Sequence, residues 1–130
     1  MIEIIDTNII LRYLVGDDKD QYEKAKNIFK EGELGKRKIY IKAVVVAESC
    51  FVLESFYKKT KEEISVAMEV FISQKWLKVE DRKALLSMWP WFKGNLHFVD
   101  SYLLALSKAG NFKLVTFDEK LEKKSVTFGN

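Results

Sequence analysis

Four acidic residues occur where the chain changes from one predicted element to the next. Asp6 directly follows a short run of isoleucines, and Asp118 follows a run of aromatic and β-branched residues. Asp100 lies in the first turn of a predicted helix, and Glu48 lies near the start of a long apolar run. Each aspartate alone has an ordinary explanation, because Asp is a common residue at helix N-caps. A shared chemistry depends on whether the fold brings the four carboxylates together.

Alternating strands and helices position these acids. The composition predicts strands at residues 2–5, 39–41 and 112–117, with shorter ones at 76–79 and 125–128. Apolar spacing predicts helices at residues 9–14, 20–30, 43–57, 60–72, 81–89, 98–110 and 119–123. Thr60 and Glu63 have the spacing of a capping box, and Pro90 is expected to bend or end a helix near Trp89. This alternation is typical of an α/β fold, an α/β/α sandwich whose largely parallel central sheet is flanked by helices. With 130 residues, the chain is expected to form a single domain over residues 1–130.

The expected fold gathers the four acids at one edge of the sheet. In a parallel sheet, helix N-termini meet where the strands end, and ligands bind there. We expect Asp6, Asp100 and Asp118 at this edge, with Glu48 reaching it from the first turns of its helix. Two unit charges about 4 Å apart at an effective dielectric near 20 repel by roughly 4 kcal/mol. A divalent cation removes that repulsion, and ligands that are all carboxylates favour Mg²⁺ or Mn²⁺ over zinc.

Glu48 needs an explanation of its own, because apolar residues surround it in the sequence. The long run is predicted to be a mostly buried helix, and a buried carboxylate is costly unless it is paired or binds a metal. The alternatives are a salt bridge to a nearby Lys or Arg and a position on the solvent-exposed side, where Glu54 is expected.

These segments resemble the acidic signature of the PIN-domain family, and within it the VapC toxins of prokaryotic toxin–antitoxin pairs. The resemblance spans essentially the whole chain, with the four acids in order. It rests on Asp6-Thr-Asn8 with Leu11-Arg-Tyr-Leu14, on Val46-Ala-Glu-Ser49, on Phe98-Val-Asp-Ser-Tyr-Leu-Leu-Ala105 and on Thr116-Phe-Asp-Glu-Lys-Leu121.

The resemblance implies a Mg²⁺- or Mn²⁺-dependent endoribonuclease that cuts single-stranded or looped RNA and leaves a 5′-phosphate and a 3′-hydroxyl. It implies that Asp6 and Asp100 are the main metal ligands, and that Asp118 and Glu48 complete the acidic cluster. It also implies a homodimer and a small antitoxin protein that blocks the site. Some family members carry a further acid two positions beyond the last Asp, where this chain has Lys120. This difference leaves open how a second metal is held.

Neighbouring polar residues have supporting parts in this interpretation. Thr7, Asn8 and Thr116 are expected to orient the carboxylates or metal-bound waters through hydrogen bonds. Arg12 is a candidate contact for a phosphate or a partner, and an ordinary surface ion pair is its alternative.

Two functions from other classes are alternatives. A PIN-like fold can serve as a binding or regulatory module with little catalysis, although the four intact acids argue against it. A small-molecule phosphohydrolase is the other, because an Asp that ends the first strand suits a phospho-aspartyl mechanism. The haloacid-dehalogenase family that uses this mechanism has a second Asp two positions on, where this chain has Asn8.

Composition excludes several classes of protein. His97 is the only histidine, which excludes zinc proteases that need two imidazoles. Cys50 is the only cysteine, which excludes a disulfide framework and fits a reducing cytoplasm. No apolar stretch reaches the length of a membrane span, so no membrane association is expected. The net charge of +3 is compatible with a nucleic-acid partner without indicating one.

Two further clusters have competing interpretations. Trp89, Trp91 and Phe92 are read as the rim of the core or a dimer interface rather than as platforms for base stacking. The basic residues 36–38 are read as a solvated loop, with nucleic-acid contact as the alternative.

Overall fold

The computed structural model describes residues 1–127, and the chain divides into two compact units, residues 1–80 and 81–130. The first unit contains β1 (Ile2–Ile4), α1 (Thr7–Val15), α2 (Lys19–Glu33), β2 (Lys38–Ile41), α3 (Ala43–Ser55), α4 (Lys61–Ile72) and β3 (Lys78–Val79). The second unit contains α5 (Arg82–Ser87), α6 (Trp89–Lys93), α7 (Phe98–Ala109) and α8 (Glu119–Thr127).

The strands form one parallel sheet in the order β1-β2-β3. Ile4 pairs with Tyr40, and Tyr40 pairs with Lys78. Parallel neighbours need long crossover connections, which helices α1 and α2 supply between the first two strands and α3 and α4 between the last two. The α/β class with a parallel sheet, predicted from the alternation of elements, is confirmed.

β2 separates a buried face of the sheet from an open one. Ile39 and Ile41 are almost fully buried, whereas Lys38 is exposed and Tyr40 is half-buried. Successive side chains of a strand point to opposite faces, so this alternation follows from the period of two. The isoleucines join the core of the first unit, and the face with Lys38 and Tyr40 is accessible to solvent.

The core of the first unit has an aromatic centre. The ring of Phe29 meets that of Phe71 edge-on at 5.4 Å between centroids, and that of Tyr13 at 4.7 Å. Both phenylalanines are almost fully buried. Burying a side chain of this size stabilises a fold by about 1.5–3 kcal/mol, so these helices are held mainly by packing.

Short-range signals for helix ends are confirmed by the structure. Thr60 and Glu63 form the predicted capping box, in which each side chain accepts a hydrogen bond from the other residue's backbone N–H. Pro90 was predicted to bend or end a helix near Trp89, and α5 does end at Ser87 while α6 begins with Pro90 in its first turn.

The aromatic residues around Pro90 belong to the core of the second unit. Trp89 and Phe92 are almost fully buried, and their rings meet edge-on at 5.6 Å. Phe98 packs against both rings, at 6.1 and 6.4 Å. The structure therefore favours the interpretation of Trp89 and Phe92 as core residues over that of a dimer interface.

The prediction of two strands near the C-terminus is wrong for the residues that the structure describes. Residues 112–117 have no regular secondary structure, and Phe112 and Val115 are mostly exposed, at 65% and 83%. Residues 125–127 belong to α8, which is longer than predicted, and Phe128 lies outside the described residues. Aromatic and β-branched residues indicate side chains that pack well on a sheet, but a strand also needs a partner strand. The described part of the second unit contains no strand with which residues 112–117 could pair. Asp118 therefore starts a helix without ending a strand.

The basic residues 36–38 are divided between two environments. Arg37 donates to Glu31 at 2.7 Å and to Glu3 at 3.0 Å, and these hydrogen bonds raise its pKa. Arg37 therefore links α2, β1 and the start of β2. Lys38 lies on the open face of the sheet.

Glu80 fixes the start of α3. One of its carboxylate oxygens accepts the backbone N–H of Ala43 at 2.9 Å, and the other accepts Lys42 Nζ at 2.8 Å. The bond from Lys42, followed by that from Ala43, holds the pKa of Glu80 below its usual value of 4.5. The sequence contained no motif that indicated this cap.

We expect Glu80→Gln to lower the free energy of unfolding at pH 7 by about 1 kcal/mol, because the charge-assisted bond is lost while an oxygen remains. A carboxyl whose pKa is lowered by folding stabilises the protein above its ordinary pKa, here 4.5, and loses this effect as the pH falls through the folded value. The difference between wild type and variant should therefore shrink at pH 3. Urea unfolding at both pH values measures it, and equal differences would contradict the assignment.

Among residues 1–127, none of the helices combines the length and apolar character that crossing a bilayer requires. Cys50 is a free, buried thiol, and burial raises its pKa far above the ordinary value. This cysteine is a packing residue of α3.

Candidate functional site

Asp6 lies at the carboxyl end of β1 and opens α1. The chain is extended at Asp6, and its Oδ1 accepts the backbone N–H of Ile9 at 3.2 Å. The residue before it, Ile5, donates its N–H to the Tyr40 carbonyl at 3.3 Å, which keeps Asp6 beside the end of β2. Its exposed carboxylate therefore lies at a helix N-terminus, where the helix dipole favours negative charge.

Glu48 is exposed on α3, so of the interpretations left open by the sequence the structure shows a solvent-exposed position rather than a buried carboxylate. Val44, Glu48 and Phe51 share one exposed face, because they are separated by steps of four and three residues. Val44 and Phe51 are 70% and 69% exposed. Apolar residues occur on nearly all sides of α3. The Glu48 carboxylate can therefore lie on a solvent-exposed face although its sequence neighbours are apolar.

Thr7 links the two carboxylates. Its side chain is almost buried, and its hydroxyl donates a hydrogen bond to Glu48 Oε1. Thr7 directly follows Asp6 in the chain, so this bond ties the start of α1 to the middle of α3. A hydroxyl in this position can orient the carboxylate, and the functional part of Thr7 stays a prediction.

The two predicted site acids of the first unit line one open cavity of about 340 Å³. The lining residues are Asp6, Thr7, Asn8, Leu11, Val45, Glu48 and Val52. Within residues 1–80, Asp6 Oδ2 and Glu48 Oε2 have no hydrogen-bond partner. The structure thus brings four of the predicted site residues together in the first unit, with one oxygen of each carboxylate available to a ligand.

The other predicted acids lie in the second unit. Asp100 is half-buried in the first turn of α7. Asp118 is exposed; its Oδ1 accepts the N–H of Leu121 at 3.0 Å, and its own N–H donates to Thr116 Oγ1 at 3.0 Å. Asp118 therefore caps α8, and Thr116 orients its backbone. Within either unit, the described residues contain no group of three or more His, Cys, Asp or Glu side chains that could hold a metal ion.

Arg12 forms the ion pair that was its alternative interpretation. Its Nη1 lies 3.2 Å from Asp17 Oδ1, and its Nε donates to Gln21 at 2.6 Å. Tyr57 donates its hydroxyl to the other oxygen of Asp17 at 3.0 Å. Burial raises the pKa of Asp17, but the bond from Tyr57 and the charge of Arg12 bring it below its usual value. These contacts engage Nε and Nη1 of Arg12, so its side chain is held in place within the first unit.

A group of basic residues on the sheet was missed at the sequence level. Lys42 Nζ and Lys78 Nζ lie 5.2 and 5.3 Å from the centre of the Tyr40 ring. The alternation of Lys38, Tyr40 and Lys42 with buried isoleucines was the available signal. The position of Lys78 follows only from the register of β2 and β3.

One of three comparisons with known proteins identifies a family for the chain. The PIN domain model matches residues 4–126, from the last residue of β1 into α8. No curated protein and no solved structure is significantly similar to the chain. PIN domains are generally metal-dependent nucleases, which is consistent with exposed carboxylates at the end of the first strand. Since the match covers nearly the whole sequence, the chain belongs to the PIN-domain family.

Proposed function

We propose that this PIN domain is a divalent-metal-dependent endoribonuclease that cuts single-stranded or looped RNA. The observation that carries the proposal is the cavity at the end of β1, where Asp6 and Glu48 each present a carboxylate oxygen. Thr7 holds Glu48 in place, and Asn8 adds an amide that can donate to a phosphate oxygen or a water.

The donor set fits a hard cation. Mg²⁺ is usually held by one or two carboxylates, with water and substrate phosphates completing its shell. Asp6 and Glu48 supply two carboxylates beside an open cavity, and Mn²⁺ accepts the same oxygen ligands. When bound, such an ion supplies a water of lowered pKa and neutralises charge on the reacting phosphate. Asp6 and Glu48 would hold the ion, Thr7 orients Glu48, and the cavity stays open to a substrate.

Other parts of the proposal rest on the resemblance rather than on geometry. We infer from the resemblance that Asp100 and Asp118 take part in the site. The same resemblance is the basis for proposing a toxin role, a small antitoxin partner, a homodimer and a cytoplasmic location. For the homodimer, Trp89 and Phe92 no longer count as support, because they are buried in their own unit. The family match spans both units, which supports the proposal of a single PIN-like domain.

The test is cleavage of a fluorescently labelled single-stranded RNA by the purified chain. We expect cleavage with millimolar Mg²⁺ or Mn²⁺ and none in EDTA, with activity restored when the metal is returned. A double-stranded RNA of the same sequence is expected to be cut more slowly. Equal activity in EDTA would contradict the metal-dependent mechanism. Tight RNA binding without cleavage under any of these conditions would instead favour the binding module.

A further inference from the structure

The open face of the sheet carries a compact set of basic and aromatic residues. Lys38 and Tyr40 alternate on β2, and Lys78 of β3 pairs with Tyr40, so its side chain lies on the same face. Lys42 follows β2 directly and also reaches the ring of Tyr40. From the rise along a strand and the spacing between strands, the backbones of Lys38 and Lys78 are about 8 Å apart.

Two of the three lysines on this face have no acidic partner among the described residues. Lys42 pairs with Glu80. Lys38 and Lys78 are exposed, and neither forms an ion pair with any of residues 1–127. Glu3, the acid of the neighbouring strand β1, forms an ion pair with Arg37 instead of with Lys38 or Lys78. Two positive charges are therefore presented side by side to solvent, which is the arrangement that suits a polyanion.

Tyr40 restricts the lysines that flank it. The ammonium groups of Lys42 and Lys78 lie about 5 Å from its ring centre, within the range of cation–π attraction. The contribution of Tyr40 is to hold long side chains in place, which lowers the entropy lost when a ligand binds.

The set adjoins the candidate site within the first unit. The Tyr40 carbonyl accepts the N–H of Ile5, the residue before Asp6. On its other side, Lys42 is the N-cap residue of α3, the helix that carries Glu48. A strand of RNA whose phosphate lies at the cavity can therefore continue across this face.

We propose that Lys38, Tyr40 and Lys78 form a phosphate-binding platform that holds the backbone of single-stranded RNA next to the cleavage site. The proposal rests on the proposed function, since it extends the substrate surface of that site. The two lysines bind phosphates, and Tyr40 is a positioning residue.

The test measures the binding of a labelled single-stranded RNA to the full chain in EDTA, where the RNA stays intact, at several salt concentrations. The lysine variant is Lys38→Gln with Lys78→Gln. The matched control is Lys24→Gln with Lys26→Gln on α2, which removes the same charge from two exposed positions away from the face. We expect the lysine variant to bind about tenfold more weakly. Because each phosphate contact contributes about 0.7 to the salt slope of a single strand, its slope should fall by about 1.4. The control should match the wild type.

Variants of Tyr40 test its positioning role. Tyr40→Leu should weaken binding by about two- to threefold, since it removes the ring that holds the lysines. Tyr40→Phe keeps the ring and should bind as the wild type does. Equal weakening by Phe and Leu would overturn the positioning role.

The outcomes separate this proposal from the proposed function. Equal binding by the lysine variant and the wild type, or equal weakening in the α2 control, would overturn the platform. A wild type that cleaves RNA with Mg²⁺ but does not bind it in EDTA would overturn the platform and leave the nuclease intact. A wild type that neither binds nor cleaves RNA would overturn both.

Discussion

Asp6→Asn is expected to lower RNA cleavage by about 10²–10³-fold while leaving the fold intact. Removing the charge takes away one of the two carboxylates proposed to hold the metal ion, and weakening the group that stabilises charge in a transition state has effects of this size. The fold should survive because Asn caps helices about as well as Asp does. The bond from Ile9 to the side-chain oxygen can therefore remain.

Thermal melts provide a second readout that does not depend on catalysis. In EDTA, Asp6→Asn and the wild type should melt within about 2 °C of each other. Millimolar Mg²⁺ should raise the melting temperature of the wild type by mass action and that of the variant much less. Cleavage rates and melts together distinguish a lost ligand from a damaged helix.

Asp18→Asn is the matched control for this experiment. Asp18 caps α2 by accepting the N–H of Gln21 at 3.0 Å, as Asp6 caps α1, but it does not line the cavity. The control should keep both cleavage and the metal-dependent shift. Equal shifts in the wild type, Asp18→Asn and Asp6→Asn would show that Asp6 does not hold the ion.

Thr7→Val should reduce cleavage by about 10–100-fold, because it removes the hydroxyl that orients Glu48. Valine has nearly the same shape, so packing at this almost buried position is largely kept. Glu48 is exposed and can bond to water instead, which limits the loss of stability. Thr7→Ser keeps the hydroxyl and should restore most of the activity.

A double-mutant cycle checks that Thr7 acts through Glu48. In the background of Glu48→Gln, the further change Thr7→Val should have little effect, since the carboxylate that it orients is already gone. Additive losses of activity in the double variant would mean that Thr7 contributes independently. A failure of Thr7→Ser to recover activity would point to packing rather than to the hydrogen bond.

The sequence by itself determined the features that depend on neighbouring residues. The turn from β1 through Asp6 into α1, the capping box at Thr60 and the helix break at Pro90 are as predicted. Backbone hydrogen bonds of a helix end are satisfied within three or four residues, so a short segment contains the whole cause. The parallel α/β class also followed, because alternating strands and helices allow few other arrangements.

The tertiary structure decided the features that depend on a distant partner. α3 is apolar on nearly all sides, so only its packing shows that Glu48 faces solvent beside Thr7. Residues 112–117 have strand composition, but strand formation requires hydrogen bonds to another strand, and the described part of the second unit contains none. The register of β3 against β2 likewise places Lys78 beside Tyr40. The hydrogen bond from Ala43 to Glu80, directly after β3, depends on the same register. Register and helix facing are set by the burial of apolar surface across the whole unit, which no single segment of sequence contains.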